Sequence, residues 1–538
     1  MDKMLNDSKP FYKNIDWGFL VFLCCATYVK LYVKIAAIIL YWLLLIYKRY
    51  DFKKPASVTW FYFLIAAAGT VSSLVQHSFK ATEYKTGFAL GVSTWILGGI
   101  ISYLSYVVIR NIDSKRIADT IKAFFTVNIL ISLVALVQLI IRSKHLVPYW
   151  YWEASEYFGA STGDHITGVF SSNSVTNAMV CSLGVLYFLH NKNFRFAFAC
   201  LFTCLLCTSN FTLLSLVGML VLLHLLVGDK LIKRNIRVSL LIVFVMYPVL
   251  SPLNVKYINT TYSMGSNKSL TESLRQLDSN KIKEQIAAST IAPNKMEHSI
   301  AEYVRKRDVN AYYRLPLSDT VFVDYSDDVK YVQFFGEASA GAGANVVLKQ
   351  EFLKELIEKW YGRKYEQTPL STYYRPIKLY SFLQTLTYLK SSVANFIFGA
   401  GIGNFSSKLA IKTTGLNMQG SYPVKDIYIS PAFVQYHLYT LLYVHALPVS
   451  EHSTINMPNS VYNQIVGEYG LVGIILFAFF YLGFFVKKWK KLSYSRYLLL
   501  IILAFFGFEY WFEMLSLTVV FELLLFKDVY KPELNAGE

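Results

Sequence analysis

What most constrains this chain is a rhythm along its length. Apolar stretches of roughly 15–25 residues, about the length that crosses a hydrocarbon layer, recur from end to end. They fall at 17–28, 31–47, 58–76, 86–108, 121–141, 172–190, 196–208, 212–227, 238–253, 461–486, 496–508 and 515–526. Backbone polar groups find no water inside a bilayer, so each stretch has to satisfy its own hydrogen bonds. The pattern predicts an all-α polytopic membrane protein of about 12 transmembrane helices.

The basic residues set the orientation. Short cytoplasmic loops are enriched in lysine and arginine, and here every second loop carries them. They are Lys48, Arg49, Lys53 and Lys54; Arg110, Lys115 and Arg116; Lys192 and Arg195; Lys230, Lys233, Arg234 and Arg237; and Lys487, Lys488, Lys490 and Lys491. This alternation predicts both termini on the cytoplasmic side. It also accounts for a net charge of +17 in a chain whose residues are 54% hydrophobic and only 16% charged. Elsewhere such a charge would raise nucleic acid as a partner. Here it marks the cytoplasmic ends of helices, and no nucleic acid is expected. A soluble enzyme, a disordered chain and a disulfide-stapled secreted module are excluded on the same grounds. The first apolar stretch lacks a small-residue cleavage site and reads as an anchor.

Three regions follow: an N-terminal bundle over 1–253 with about nine spans, a polar segment over 254–460 outside the membrane, and the last spans with a short tail over 461–538. The outer segment is long enough to bury a core of its own. It reads as a mixed α/β domain, with β-rich residues around 320–335 and amphipathic helices near 351–360 and 379–390. All six cysteines (Cys24, Cys25, Cys181, Cys200, Cys204 and Cys207) lie in apolar stretches. Structural disulfides and a cysteine-ligated metal site are therefore not expected. Asp324, Asp327 and Asp328 read as a solvated turn, and Pro148–Trp152 as an interfacial aromatic belt.

The motifs concentrate between 375 and 473. Phe398-Gly-Ala-Gly-Ile-Gly-Asn-Phe405 places glycines at three alternate positions, where backbone can turn tightly or approach a ligand. No predicted strand of a dinucleotide fold precedes it, so a Rossmann site is not expected. Further on, Asn459-x-x-x-Asn463-Gln464-x-x-x-Glu468-x-Gly470-x-x-Gly473 runs into a span. Earlier, Gly168-Val-Phe170-Ser-Ser-Asn173 precedes another. In order and spacing these elements resemble the O-antigen ligase and O-antigen polymerase family, bacterial membrane glycosyltransferases acting on glycans carried by undecaprenyl diphosphate.

That resemblance implies an enzyme of the bacterial inner membrane with its site on the outer face. A lipid-linked glycan would be the donor, a second glycan or a lipid core the acceptor, with no metal or other cofactor. It implies a cationic group for the departing diphosphate: Arg375, assisted by Lys378, with Arg314 a second candidate. It implies a base for the attacking hydroxyl. Pro458 stands where the family has histidine, so His452 and Glu468 are the candidates, with His445 and His437 further ones. Asp164 and His165, just before Gly168, are also candidates to act as base or to orient the acceptor. Gly399, Gly401, Gly403 and Asn404 would shape the backbone near the donor, and Asn459 and Asn173 would orient groups in the site. Glu509 and Glu513, between the last two spans, could bind sugar hydroxyls or pair with arginine. The expected product is a polymerised surface polysaccharide. Ligation of the glycan to a lipid core or protein is the alternative, and transport of the lipid-linked glycan the alternative of another class.

Overall fold

A computed structural model describes residues 14–150, 162–171, 173–252, 321–326, 329–333, 377–413, 428, 430–438, 440, 458 and 460–530. The architecture is helical. From the N-terminus come α1 (Trp17–Thr27), α2 (Leu31–Tyr47), α3 (Ser57–Val75), α4 (Tyr84–Asn111), α5 (Ser114–Ser143), α6 (Ser174–His190), α7 (Phe194–Leu206), α8 (Asn210–Leu226) and α9 (Lys230–Leu250). Then follow α10 (Ile377–Lys390), α11 (Val393–Phe398), α12 (Lys408–Thr413), α13 (Val461–Leu476), α14 (Ser495–Phe506) and α15 (Leu515–Val529).

A helix stands at each of the twelve apolar stretches, but length separates them. Among the described residues, four are long and apolar enough to cross a membrane: α3, α4, α5, and α13 with its continuation to Lys491. Others are shorter. The 17 residues of α2 and the 13 of α7 rise roughly 25 and 20 Å at 1.5 Å per residue. The count of twelve spans therefore goes beyond what these helices establish. In the outer segment the described residues include one antiparallel strand pair, β1 (Val321–Ser326) with β2 (Val329–Gln333). The other elements described there, α10 to α12, are helical, so the mixed α/β domain is not supported by the described residues.

Polar residues at the ends explain where helices begin. Asp16 accepts from the Phe19 N–H, Asp113 from Lys115 and Arg116, and Asp229 from Leu231 and Ile232. Each satisfies donors that the first turn leaves without partners. On α2, α5, α8 and α9 large apolar side chains such as Leu40, Val134, Leu214 and Phe244 face outward. α15 is the opposite case. Every one of its residues is buried, and it packs on α1, α4 and α6 at the centre of the bundle. An apolar helix hidden on all sides belongs in a core.

Contacts also run across the division drawn at residue 460. α10 and α11 pack on α13, and α11 on α3. Ile402 fills a hole between α3 and α4: a Cβ on Gly69 or Gly91 would lie 2.3 or 2.2 Å from its side chain. The segment from Ile377 to Thr413 thus packs against the bundle, with Ile402 and Leu409 in its core.

Candidate functional site

The glycine motif turns at the crossing of α3, α4 and α13. Gly399, Gly401 and Gly403 all have positive φ (70, 89 and 69°), and their faces meet protein. A Cβ on Gly399 would stand 2.5 Å from the Glu468 carbonyl carbon, and one on Gly401 2.7 Å from Ser73 Oγ. The helix opposite bends to receive them, since Gly470 inside α13 has φ 58° and ψ −148°. The Ala400 and Gly401 N–H groups donate to the Gly467 and Glu468 carbonyls at 2.8 and 2.9 Å. Tyr84 donates to the Ile402 carbonyl at 2.7 Å, and the Ile402 N–H donates to Ser73 Oγ at 3.2 Å. Gln76 donates to the Gly399 carbonyl at 2.7 Å.

Glu468 sits in the concave side of this turn, fully buried. Its carboxylate accepts from the backbone of Gly403 (3.0 Å), Phe405 (3.1 Å) and Ser407 (3.2 Å). Both oxygens are committed to holding the loop. Asn404 is similarly engaged, its amide donating to Ser78 Oγ and the Ala400 carbonyl. Asn463 donates to Ser381 Oγ (2.9 Å) and to the Pro458 carbonyl (3.0 Å), and accepts from Thr385 at 3.2 Å. Much of the motif that carries the family resemblance is therefore occupied in joining α10, α13 and the glycine turn.

Beyond the turn lies a group of charges. Glu513, on the turn between α14 and α15, accepts from the Lys408 and Leu409 N–H groups at 2.6 and 3.2 Å, opening α12. Burial, then the charge of Glu468, pushes the Glu513 carboxyl up to about 7. On α12, burial and then Lys408 push the Lys412 ammonium down to about 8. Lys378, at the start of α10, donates to the Phe508 carbonyl at 3.0 Å. It pairs electrostatically with Glu509. Burial lowers the lysine and raises the acid, and each charge opposes the shift of the other. Glu509 is 2% exposed, and its Oε1 has no hydrogen-bond partner. Lys34 on α2, buried and bonded to the Ala26 carbonyl and Ser516 Oγ, lies in electrostatic range of Lys408.

The structure thus brings Lys378, Glu468, Gly399, Gly401, Gly403 and Asn404 into one region with Glu509 and Glu513. Sequence reasoning passed over Lys408 and Lys412. Their signal was a lysine pair at i and i+4, the spacing of one helix face, directly after the glycine motif. Arg314, Arg375, His445, His452 and Asn459 lie outside the described residues.

Asp164 and His165 lie on a short turn that packs against α5 and α6, and Asn173 stands at the start of α6. Ser174 donates to Asp164 at 2.8 Å. Burial and then Arg142 lower His165. Asn173 caps α6, accepting from the Thr176 N–H and hydroxyl, both at 2.7 Å. The Gly168 turn beside them is fixed by buried amides: Asn128 accepts from the Val169 N–H at 3.0 Å and donates to Asn177 at 2.7 Å. Among the described residues no group of three or more histidine, cysteine, aspartate or glutamate side chains is placed to hold a metal ion.

No family model matches this chain, and no curated protein or solved structure proves similar to it.

Proposed function

We propose that this chain is a membrane glycosyltransferase that joins glycan repeat units carried on undecaprenyl diphosphate into a surface polysaccharide. The reading carries with it about twelve spans in a bacterial inner membrane, both termini in the cytoplasm, and a mixed α/β domain outside. One observation supports it above the others: lysines 378, 408 and 412 gather with Glu509 and Glu513 at helix ends that the basic-loop pattern assigns to the outer face. Charge grows on a departing diphosphate, and fixed cations in a poorly hydrated site stabilise it as it forms.

In this reaction the acceptor hydroxyl oxygen bonds to the anomeric carbon of the donor. The bond from that carbon to the diphosphate oxygen breaks, and its electron pair leaves on undecaprenyl diphosphate. The hydroxyl proton passes to a base. Glu509, with Oε1 unpartnered beside Lys378, has the chemistry for that role, and His452 is its rival. Arg375 remains a proposed ligand of the diphosphate together with the lysines.

The test is binding of undecaprenyl diphosphate, the expected product, to purified protein in detergent. Lys408→Met should weaken it at least tenfold relative to wild type, while undecaprenyl monophosphate binds weakly to both. Equal affinity of wild type and variant for the diphosphate would remove the lysine cluster from the donor site.

A further inference from the structure

A second group of buried polar atoms lies around Phe405, at the end of the glycine motif, and it carries no charge pairing. His437 sits in a single π-helical turn, Val434–Leu438, a geometry common at functional sites. The residue is fully buried, and neither Nδ1 nor Nε2 has a hydrogen-bond partner. Its ring lies 4.2 Å from that of Phe405. Next to Phe405, Ser406 Oγ is buried without a partner, and so is Gln464 Oε1 on α13, one turn before Glu468. The Phe405 ring packs onto Gly467, so His437 meets this ring, Ser406 follows it in the chain, and Gln464 stands one turn of α13 before the glycine beneath it. Tyr388 stacks on Phe405 at 4.7 Å, and Tyr436, partly exposed, meets both rings at 5.5 and 6.2 Å.

Buried polar atoms are nearly always bonded, so a concentration of unpaired ones needs a cause. Burial holds the imidazole well below its ordinary range, at about 3, so it is neutral and keeps a lone pair to offer. A neutral imidazole, a hydroxyl and an amide beside aromatic faces suit a ligand with many hydroxyls and no charge. They do not suit a phosphate, which the lysines of α10 and α12 would take.

We propose that Ser406, His437 and Gln464, with the aromatic face of Phe405, Tyr388 and Tyr436, form a subsite for one sugar residue of the glycan. The inference rests on the glycosyltransferase reading and assigns this subsite to the acceptor sugar.

The test uses His437→Phe and Gln464→Met in the full-length protein, with lipid-linked glycans extracted from the producing cell as donor and acceptor. Neither side-chain group removed makes a hydrogen bond inside the protein. The thermal unfolding temperature should therefore stay the same or rise, while KM for the acceptor rises at least tenfold and undecaprenyl diphosphate binding is unchanged. Acceptor KM within twofold of wild type in both folded variants overturns the subsite and leaves a trapped water as the partner. Should either variant fail to fold, Ser406→Ala makes the same comparison with a single atom removed. A wild-type protein that forms no product counts against the glycosyltransferase reading separately. Titration with the oligosaccharide released from the same lipids then decides the subsite: binding that is lost in His437→Phe supports it, and no binding to wild type overturns it.

Discussion

Glu468 looked in sequence like a base, an acid at the end of a span where ionisable groups are costly and often functional. Its contacts predict that it is a clamp, and two substitutions separate the roles. In Glu468→Gln the remaining amide oxygen can still accept from Phe405 and Ser407, the pair that share Oε1. The new NH2 faces the Gly403 N–H, which now has no acceptor. A bond to a charged group contributes about 1.5–3 kcal/mol, so Glu468→Gln should cost about that much. Glu468→Ala strands all three donors in a fully buried site, roughly 4–9 kcal/mol by the same measure. That is comparable to the whole stability of a typical domain, about 5–15 kcal/mol. Thermal unfolding in detergent should show a moderate loss for Glu468→Gln and little or no folded protein for Glu468→Ala. Turnover per folded Glu468→Gln molecule should stay near wild type. A Glu468→Gln protein that unfolds at the wild-type temperature but has lost turnover would refute the clamp and restore the base.

Further outcomes follow from the packing and the charges. Gly91→Ala forces a methyl to within 2.2 Å of Ile402 Cγ2, an overpacking of about 1–3 kcal/mol. Ile402→Ala should cost about 2–5 kcal/mol, and the double variant less than the sum, because each change makes room for the other; strict additivity in denaturation would show that the two do not touch. Glu513 binds its proton more tightly folded than unfolded, about 7 against 4.5. The unfolded chain therefore holds fewer protons in that window, and stability falls as pH rises from 4.5 to 7. Glu513→Gln should flatten that part of the unfolding-temperature profile. Lys412, lowered to about 8 from 10.5, acts in the opposite sense, so stability rises between pH 8 and 10.5, and Lys412→Met should remove that rise.

The helices were legible because hydropathy is written locally. The stretch read at 31–47 is α2, Leu31–Tyr47, residue for residue. The misses at helix ends have a local cause too. α5 starts at Ser114 and α9 at Lys230, each seven or eight residues ahead of its apolar stretch, because Asp113 and Asp229 cap polar turns that hydropathy alone passes over. The burial of α15 was not legible, since an apolar helix reads the same against lipid as against protein. The site was legible only as a neighbourhood. Glu468 meets Gly403 across 65 residues and Glu513 meets Lys408 across 105, and no spacing rule reaches that far. The glycines announced a tight backbone, as they should, but what lies against them is α3 and α13.

Purified protein reconstituted in liposomes with undecaprenyl-diphosphate-linked repeat units should produce a ladder of longer glycans together with released undecaprenyl diphosphate, both abolished in Arg375→Ala at normal expression. Transfer of one glycan to a lipid core or protein acceptor would make the protein a ligase. Movement of the intact donor across the bilayer, with no new glycosidic bond, would show a transporter and not a glycosyltransferase.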